Sequence, residues 1–402
     1  MAKIDGNSPV ILSAKRTPIG KFQGGLAKVS AVELGAVAIR AAVASLAEGA
    51  LTDVEEVLMG NVVSAGLGQA PARQASVLAG MPVTVGATTL NKVCGSGLKA
   101  VSLAAQAIRA GDGGLYVAGG MESMSRAPYL LGGRNGEMRF GHVQAQDALL
   151  TDGLWDPFEK WGMGMAAEFI AREFGVNRSE MDQYAWQSQR KAAIAVESGF
   201  FTNEIVPVSV LAKGGQVDLV SVDESPRKET TIETLAKLKP SFDPNGVVTA
   251  GNASTMNDGA AACLVGSLRY AEKNNLQPLA RIVASAQAAV PPKYLFDAPA
   301  HAIPKVLARS EWKMADVDLI ELNEAFAAQV LANGKALENQ GWDWRKVNIC
   351  GGAIALGHPL GASGTRILVT LVHNMIRTGV VRGLACLCLG GGEAVALTVE
   401  RL

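Results

Sequence analysis

LNKVCGSGLKA, Leu90 to Ala100, is the stretch on which the reading of this chain turns. An apolar-tinged run ends in Cys94, a Gly-Ser-Gly follows at once, and an alanine-rich segment comes next. In that segment Leu98, Val101, Ala105 and Ile108 recur at steps of three, four and three, which is helical periodicity. The stretch is therefore a strand that turns through glycines into a helix, with a thiol at the turn. Three readings stay open at this point: a buried filler, part of a phosphate-binding turn, or a nucleophile. A helix N-terminus offers unpaired N–H groups and a positive dipole end, which favour a thiolate there. Free cysteine is also often a small buried hydrophobe.

The same unit repeats outward along the chain. VILSA and VEEVLMGNVV are strand-like, AVELGAVAIRAAVASLA and APARQASVLAG are helical, and GLYVAGGMESM is a strand again. Strands alternating with helices of this length predict parallel α/β architecture. The last third returns to the pattern: VDLIELNEAF, then KVNICGGAIALGHPLGASG as strand and glycine-rich loop, then GLACLCLGGGE as a final strand. TRILVTLVHNMIRTG reads as an amphipathic helix with Ile367, Leu368, Leu371, Val372, Met375 and Ile376 on its apolar face. Asn91 and Asn348 each lead into a cysteine, glycines, a helix and a strand ending in Gly-Gly, which hints at duplication. Between the halves, from about Ser125 to Ala250, lies a loop-rich region with three of the six tryptophans and one helical piece, SEMDQYAWQSQRKAAIAVES.

Composition narrows the function classes. Of 402 residues, 49% are hydrophobic and 18% charged, enough for a large core in two or three domains. Lys+Arg and Asp+Glu balance at 37 each, so nothing points to nucleic acid or an anionic membrane, and a small soluble substrate is the default. The five cysteines are an odd number and make no disulfide framework, as expected of reduced thiols. No apolar run approaches the roughly 20 residues of a membrane span, and neither end reads as a targeting signal. The expectation is a soluble, cytoplasmic protein.

Four further features carry chemistry. Gly95, Gly97 and Ala100, with Glu122 ending the next strand, imitate a dinucleotide-binding fingerprint. That reading leaves Cys94 and the C-terminal motifs without a role. His358 sits in GGAIALGHPLGASG, and imidazole is the natural base for a thiol. His301 and His373 have plain structural readings. Cys386 and Cys388 lie two apart on a strand and share a face, with Cys388 beside Gly390–Gly392, whose N–H groups suit an oxyanion. A C-x-C metal pair has no companion ligands here. Asn323 and Glu324 follow VDLIEL, where polar residues either cap a helix or hold a water.

Taken together and in order, NKVCGSGLKA, GGMESMS, GNASTMNDGAAA, NEAFAAQ, GGAIALGHPLGASG and CLGGG resemble the signatures of the thiolase family over essentially the whole chain. The likeness is greatest to acetoacetyl-CoA and 3-ketoacyl-CoA thiolases. It implies a duplicated α/β fold: two similar halves, each a mixed five-stranded sheet with helices, layered around shared central helices. The halves would be residues 1–124 plus 250–277 and residues 278–402, with an inserted loop domain, 125–249, that binds coenzyme A. The resemblance implies Cys94 as acyl-accepting nucleophile and His358 as its base. Asn323 would position a water in one oxyanion hole, and Cys388 would be the second acid/base. The N–H groups of Cys94 and Gly390 would form the other oxyanion hole. Arg227 would stack on adenine, Ser254 would contact pantetheine, and Leu154, Met163, Phe242 and Phe326 would line the tunnel.

It further implies ping-pong acyl transfer with acyl-CoA and coenzyme A as substrates, without a tightly bound cofactor or metal. The setting would be fatty-acid metabolism in a homodimer or homotetramer. Related acyl-carrier-protein condensing enzymes pair cysteine with other residues, and a non-catalytic CoA-binding relative would lack one of Cys94, Asn323, His358 or Cys388. Four departures are expected near the pocket. Gly162 stands where acetoacetyl-specific members have histidine before Met-Gly, Cys350 where asparagine is common, Glu393-Ala394 where Gln-Gly is usual, and STMND where SGLND is usual.

Overall fold

The computed structural model describes residues 4–133, 140–211 and 214–402. Nine strands form the main path of a ten-stranded sheet, with the two-residue strand Gly20–Lys21 paired beside it to Asn257–Asp258: β1 (Pro9–Arg16), β2 (Glu56–Gly60), β3 (Gly86–Leu90), β4 (Leu115–Ser123), β5 (Asn257–Ser267), β6 (Ala280–Ala289), β7 (Leu319–Leu322), β8 (Arg382–Leu389) and β9 (Glu393–Glu400). Seven helices matter for the site: α1 (Ala31–Ala42), α2 (Ser96–Ala110), α3 (Met163–Glu173), α4 (Arg178–Glu197), α5 (Ala298–Ser310), α6 (Ala327–Leu337) and α7 (Leu360–Thr378).

The strand order is β7-β8-β9-β6-β1-β5-β4-β2-β3, and it displays the duplication. In the first half, β1-β5-β4-β2-β3 runs antiparallel from β1 to β4 and parallel from β4 through β2 to β3. In the second, β6-β9-β8-β7 repeats the sequence, antiparallel and then parallel, and a lone bridge between Ile320 and Val347 stands in for the fifth strand. The equivalent strands β1 and β6 even carry equivalent bulges, between Ile11 and Ser13 and between Ile282 and Ala284. The halves meet edge to edge only at Val10↔Arg281 and Ile11↔Ala280.

Alternation along each strand builds the layers. On β5, Ala261, Cys263 and Val265 face the central core, while Ala260, Ala262 and Leu264 face an outer one. On β8, Ala385, Leu387 and Leu389 face the center and Leu384, Cys386 and Cys388 face outward. The central core is filled by α2 (Leu98, Val101, Ile108) and α7 (Ile367, Leu368, Leu371), and each such fully buried aliphatic side chain contributes roughly 1.5–3 kcal/mol. The outer faces are covered by α1 on one half and α5 on the other. The result is helix, sheet, paired helices, sheet, helix.

The two central helices cross closely because glycine lets them. A Cβ on Gly97 would lie 2.8 Å from the backbone nitrogen of Thr365, and one on Gly364 would lie 2.4 Å from that of Leu98. Gly120 of β4 likewise admits the carbonyl of Gly361. This crossing brings the N-terminal ends of α2 and α7 together. Two sequence expectations are corrected here. The stretch Leu360–Gly364, read as loop, is the first turn of α7, which starts behind Pro359. Ile376, assigned to the apolar face, is 42% exposed, because the helix outruns the sheet before its Gly379 cap.

The segment between β4 and β5 is as loop-rich as its composition suggests. It carries α3, α4 and short two-stranded ribbons, including Val208–Leu211 with Val217–Val220 and Trp155–Asp156 with Trp161–Gly162. A capping box between Asn177 and Glu180 starts α4. Buried Arg16 of β1 pins the segment, reaching Glu204 at 2.6 Å and Asp223 at 2.7 Å.

Candidate active site

The thiol turn follows β3 and precedes α2. Its strained residue is Val93, with φ of +45°, a left-handed conformation that a β-branched side chain rarely adopts. Local hydrogen bonds hold it. Asn91 Oδ1 accepts from the Val93 N–H at 2.9 Å, and Ser96 Oγ accepts from the Lys92 N–H at 2.8 Å while donating to the Val93 carbonyl at 2.6 Å. Gly95 and Gly97 do not bend the turn. A Cβ on Gly95 would sit 2.2 Å from Leu389 Cδ2, so this glycine exists to let the second half approach. Packing against α7 explains Gly97 in the same way.

His358 enters from the second half, just before α7. Gly357, at φ +106°, lets the chain pass Asn257, whose Oδ1 accepts from the His358 N–H at 3.0 Å. The ring orientation is set by Ser363, whose hydroxyl donates to the Pro359 carbonyl at 2.8 Å. Having spent its only proton there, Ser363 Oγ accepts from His358 Nδ1–H at 2.6 Å. Nε2 is thus left without a proton and is the basic nitrogen. Burial, with the nearby Arg366 charge, pushes the imidazole down to about 3, so it is neutral. Asn323 Nδ2 lies 3.5 Å from Nε2, and Asn323 Oδ1 is buried without a protein partner.

Cys388 is the penultimate residue of β8, and Gly390-Gly391-Gly392 turn the chain into β9 with Gly391 and Gly392 in the left-handed region. The backbone N–H groups of Gly390 and of Cys94 itself favour the Cys94 thiolate. Desolvation nonetheless outweighs them and pushes the Cys94 thiol up to about 11. The resting state is therefore a neutral thiol beside a neutral imidazole, rather than the thiolate expected from a helix N-terminus alone. Cys388 is held well above its ordinary value by burial and by the proximity of Cys94 and Cys386.

These groups open onto one cavity of about 640 Å³. Cys94, His358, Cys388 and Gly390 line it, as do Leu154, Met163, Phe242, Ser254 and Phe326, with Arg227 exposed where it meets solvent. Phe326 meets Phe296 and Phe242 edge-on at 5.3 and 6.3 Å to form an aromatic wall.

Comparison with known proteins settles the family. The N-terminal thiolase domain model matches residues 9–268 and the C-terminal thiolase domain model matches residues 276–401. The chain belongs to the thiolase family. It is 52% identical to an acetyl-CoA acetyltransferase of Pseudomonas aeruginosa over 98% of this chain and 99% of that one. It is 51% identical to one of Cupriavidus necator, again over 98% and 99%. A crystal structure of the Bacillus anthracis acetyl-CoA acetyltransferase superposes with a TM-score of 0.94 at 40% identity, covering 98% and 99% of the two chains.

In the chain itself, ten of the eleven candidate residues lie on the cavity wall, and Asn323 sits behind His358. The dinucleotide reading of Glu122 is overturned. Its carboxylate is fully buried and accepts from the N–H groups of Val62, Val63 and Gly361 and from Asn61 Nδ2, so it ties β4 to α7. The departures also separate. Gly162 and Met256 line the cavity, whereas Cys350 points away, toward Asn374 and Arg377. Ala394 faces Cys388 across the β8–β9 ladder.

Several residues of this thiolase escaped sequence reasoning. Ser363 is one, although its place five residues after His358 at the start of a helix was a usable signal. Asn257 is another, lying within a quoted motif but without an assigned task. Glu324 holds the Asn323 loop by accepting from Tyr184 at 2.9 Å, Ser188 at 2.6 Å, Asn348 at 2.9 Å and the Ile354 N–H at 3.1 Å. Among the described residues no group of three or more histidines, cysteines and carboxylates could hold a metal, and no helix is long and apolar enough to cross a membrane.

Proposed function

We propose that this thiolase is an acetyl-CoA acetyltransferase, joining two acetyl-CoA into acetoacetyl-CoA and coenzyme A and running the same steps backward in thiolysis. One observation carries the reading: two cysteines, an imidazole with a bare Nε2, and Gly390 of the glycine hairpin line a single apolar cavity. As acetyl-CoA binds, Cys94 gives its proton to His358 Nε2 and its sulfur attacks the thioester carbonyl. The oxyanion is held by the Cys94 and Gly390 N–H groups in one step of the cycle. Coenzyme A leaves with the proton from the Cys388 thiol, Cys94 carries the acetyl group, and His358 keeps the Cys94 proton. The Cys388 thiolate then takes an α-proton from the second acetyl-CoA, and the carbanion attacks the acetyl carbonyl, expelling the Cys94 sulfur, which recovers its proton from His358. Asn323, through a water on its free Oδ1, supports His358 in stabilising the enolate oxygen.

In this proposal coenzyme A lies along Leu154, Met163, Phe242 and Phe326, with Ser254 on the pantetheine and Arg227 on the adenine. Residues 125–249 act as its binding domain between the halves 1–124 plus 250–277 and 278–402. The enzyme works without a resident cofactor, in the cytoplasm, as a homodimer or homotetramer serving fatty-acid metabolism. A second reading, thiolysis of longer 3-ketoacyl-CoA, is favoured by Gly162, where an added Cβ would meet only the Leu154 carbonyl at 3.9 Å. The deciding experiment is cleavage of acetoacetyl-CoA and 3-ketohexanoyl-CoA by the wild type. Activity on neither substrate contradicts the acyl-transfer reading, and a non-catalytic CoA-binding relative would then replace it.

A further inference from the structure

The two N–H groups that favour the Cys94 thiolate, those of Cys94 and Gly390, come from different halves of the molecule. One belongs to the turn Asn91–Gly95, and the other to the hairpin Gly390–Gly392. Their distance is therefore a tertiary quantity that neither segment sets alone. Three contacts join the segments. Leu389 fills the space left by Gly95, and the Val93 side chain lies against Gly390, where a Cβ would be 3.3 Å from Val93 Cγ1. The third contact is ionic: Lys92 Nζ reaches Glu393 Oε2 at 2.6 Å. Glu393 stands directly opposite Leu389 in the β8–β9 ladder, at the base of the glycine hairpin. Lys92 is two residues before the nucleophile and next to the strained Val93. Lys99, one turn into α2, also feels the Glu393 charge.

We propose that Glu393 is a positioning residue which, through Lys92, clamps the strained nucleophile turn to the glycine hairpin and so fixes the spacing of the two oxyanion donors. Apolar contacts keep the segments together but are tolerant of sliding. A short ion pair restricts sliding along the hairpin axis. Val93 resists the turn conformation, and that strain persists only where surroundings over-determine it. Releasing Lys92 lets the turn relax and draws the Cys94 N–H away from the Gly390 N–H. Oxyanion donors act only within about 2.7–3.1 Å of the developing charge, and displacements near 1 Å cost on the order of 10²-fold. A partial relaxation gives a smaller loss, expressed in the chemical step and not in binding, because neither residue lines the cavity.

The proposal rests on Cys94 being the acyl carrier, and the test separates the two. Glu393→Gln and Lys92→Met should each lower kcat for acetoacetyl-CoA thiolysis about five- to tenfold, with KM within twofold of wild type. Alkylation of Cys94 by iodoacetamide, followed by peptide mass spectrometry, should slow about threefold in both, since a displaced Gly390 N–H no longer stabilises the thiolate. The swapped variant Lys92→Glu/Glu393→Lys should return kcat to within about twofold of wild type, a rescue that additive structural damage does not give. The proposal is overturned if Glu393→Gln keeps wild-type kcat, if the loss falls on KM, or if the swap is as poor as the two single changes combined. If a single variant fails to fold, the swap decides alone. A wild type without thiolytic activity would instead remove the acyl-transfer reading itself.

Discussion

Ser363→Ala probes the hydrogen-bond chain that, in the proposed mechanism, makes His358 a base. In the wild type, Ser363 Oγ accepts from Nδ1–H at 2.6 Å and is itself held by the Pro359 carbonyl at 2.8 Å. Removing the hydroxyl leaves Nδ1–H unpartnered in a buried site, since the side chains of His358 and Ser363 are 6% and 0% exposed. A hydrogen bond to a charged group contributes about 1.5–3 kcal/mol, and this bond bears charge only while His358 holds the Cys94 proton. The loss therefore falls on the transition state, and at about 1.4 kcal/mol per tenfold it amounts to roughly 10- to 150-fold in kcat. The imidazole, already held down to about 3, moves further down. The assay is steady-state thiolysis of acetoacetyl-CoA, with thermal unfolding measured alongside to separate activity from folding. A kcat within twofold of wild type, in a protein that folds normally, would refute the tautomer argument.

Gly97→Ala should destabilise the fold by about 1–3 kcal/mol, since its Cβ meets the Thr365 backbone nitrogen at 2.8 Å and overpacking costs that much; a wild-type unfolding midpoint contradicts the close-crossing account. Gly162→Val should lower the ratio of kcat/KM for 3-ketohexanoyl-CoA over acetoacetyl-CoA at least about tenfold, and an unchanged ratio shows that the acyl chain does not use that wall. Stability should fall as pH drops from 6.5 toward 3. His358 binds its proton at about 3 when folded and at about 6.5 when unfolded, so the unfolded state binds more protons in that window. The slope contributed is about 1.4 kcal/mol per pH unit, and unfolding free energies of wild type and His358→Gln from urea titrations should diverge by about that much per unit as pH falls from 6.5 to 4. Parallel free energies would show that His358 is not buried neutral.

Much of this architecture was legible in the sequence, and the limits have physical causes. The repeated order of strand, glycine turn, helix and strand hinted at the duplication, and the strands read as continuous apolar runs because both faces of β4, β5, β8 and β9 meet a core. Cys94, His358 and Cys388 stood out because glycines surround each of them. What those glycines do was not legible. Gly95, Gly97 and Gly364 look like turn formers, yet they are demanded by neighbours hundreds of residues away, and the left-handed strain falls on Val93 instead. Ser363 and Asn257 were hidden because their roles depend on where helix α7 begins, which Pro359 decides. Glu122 was misleading, since a carboxylate after a strand reads the same whether it faces a ribose or four N–H donors in the core. Cys350 was placed near the pocket as a departure within the histidine motif, but its sulfur packs against Asn374 and Arg377 instead.

The central claim is that Cys94 alone carries the acyl group. The most direct measurement is mass spectrometry of proteolytic peptides after incubation with acetyl-CoA and rapid acid quench. The account predicts one acetyl group on the peptide containing Cys94, removed by added coenzyme A and absent from Cys94→Ala. Acetyl found on Cys388 or on any other residue, or persistence of the adduct in the presence of coenzyme A, would contradict it.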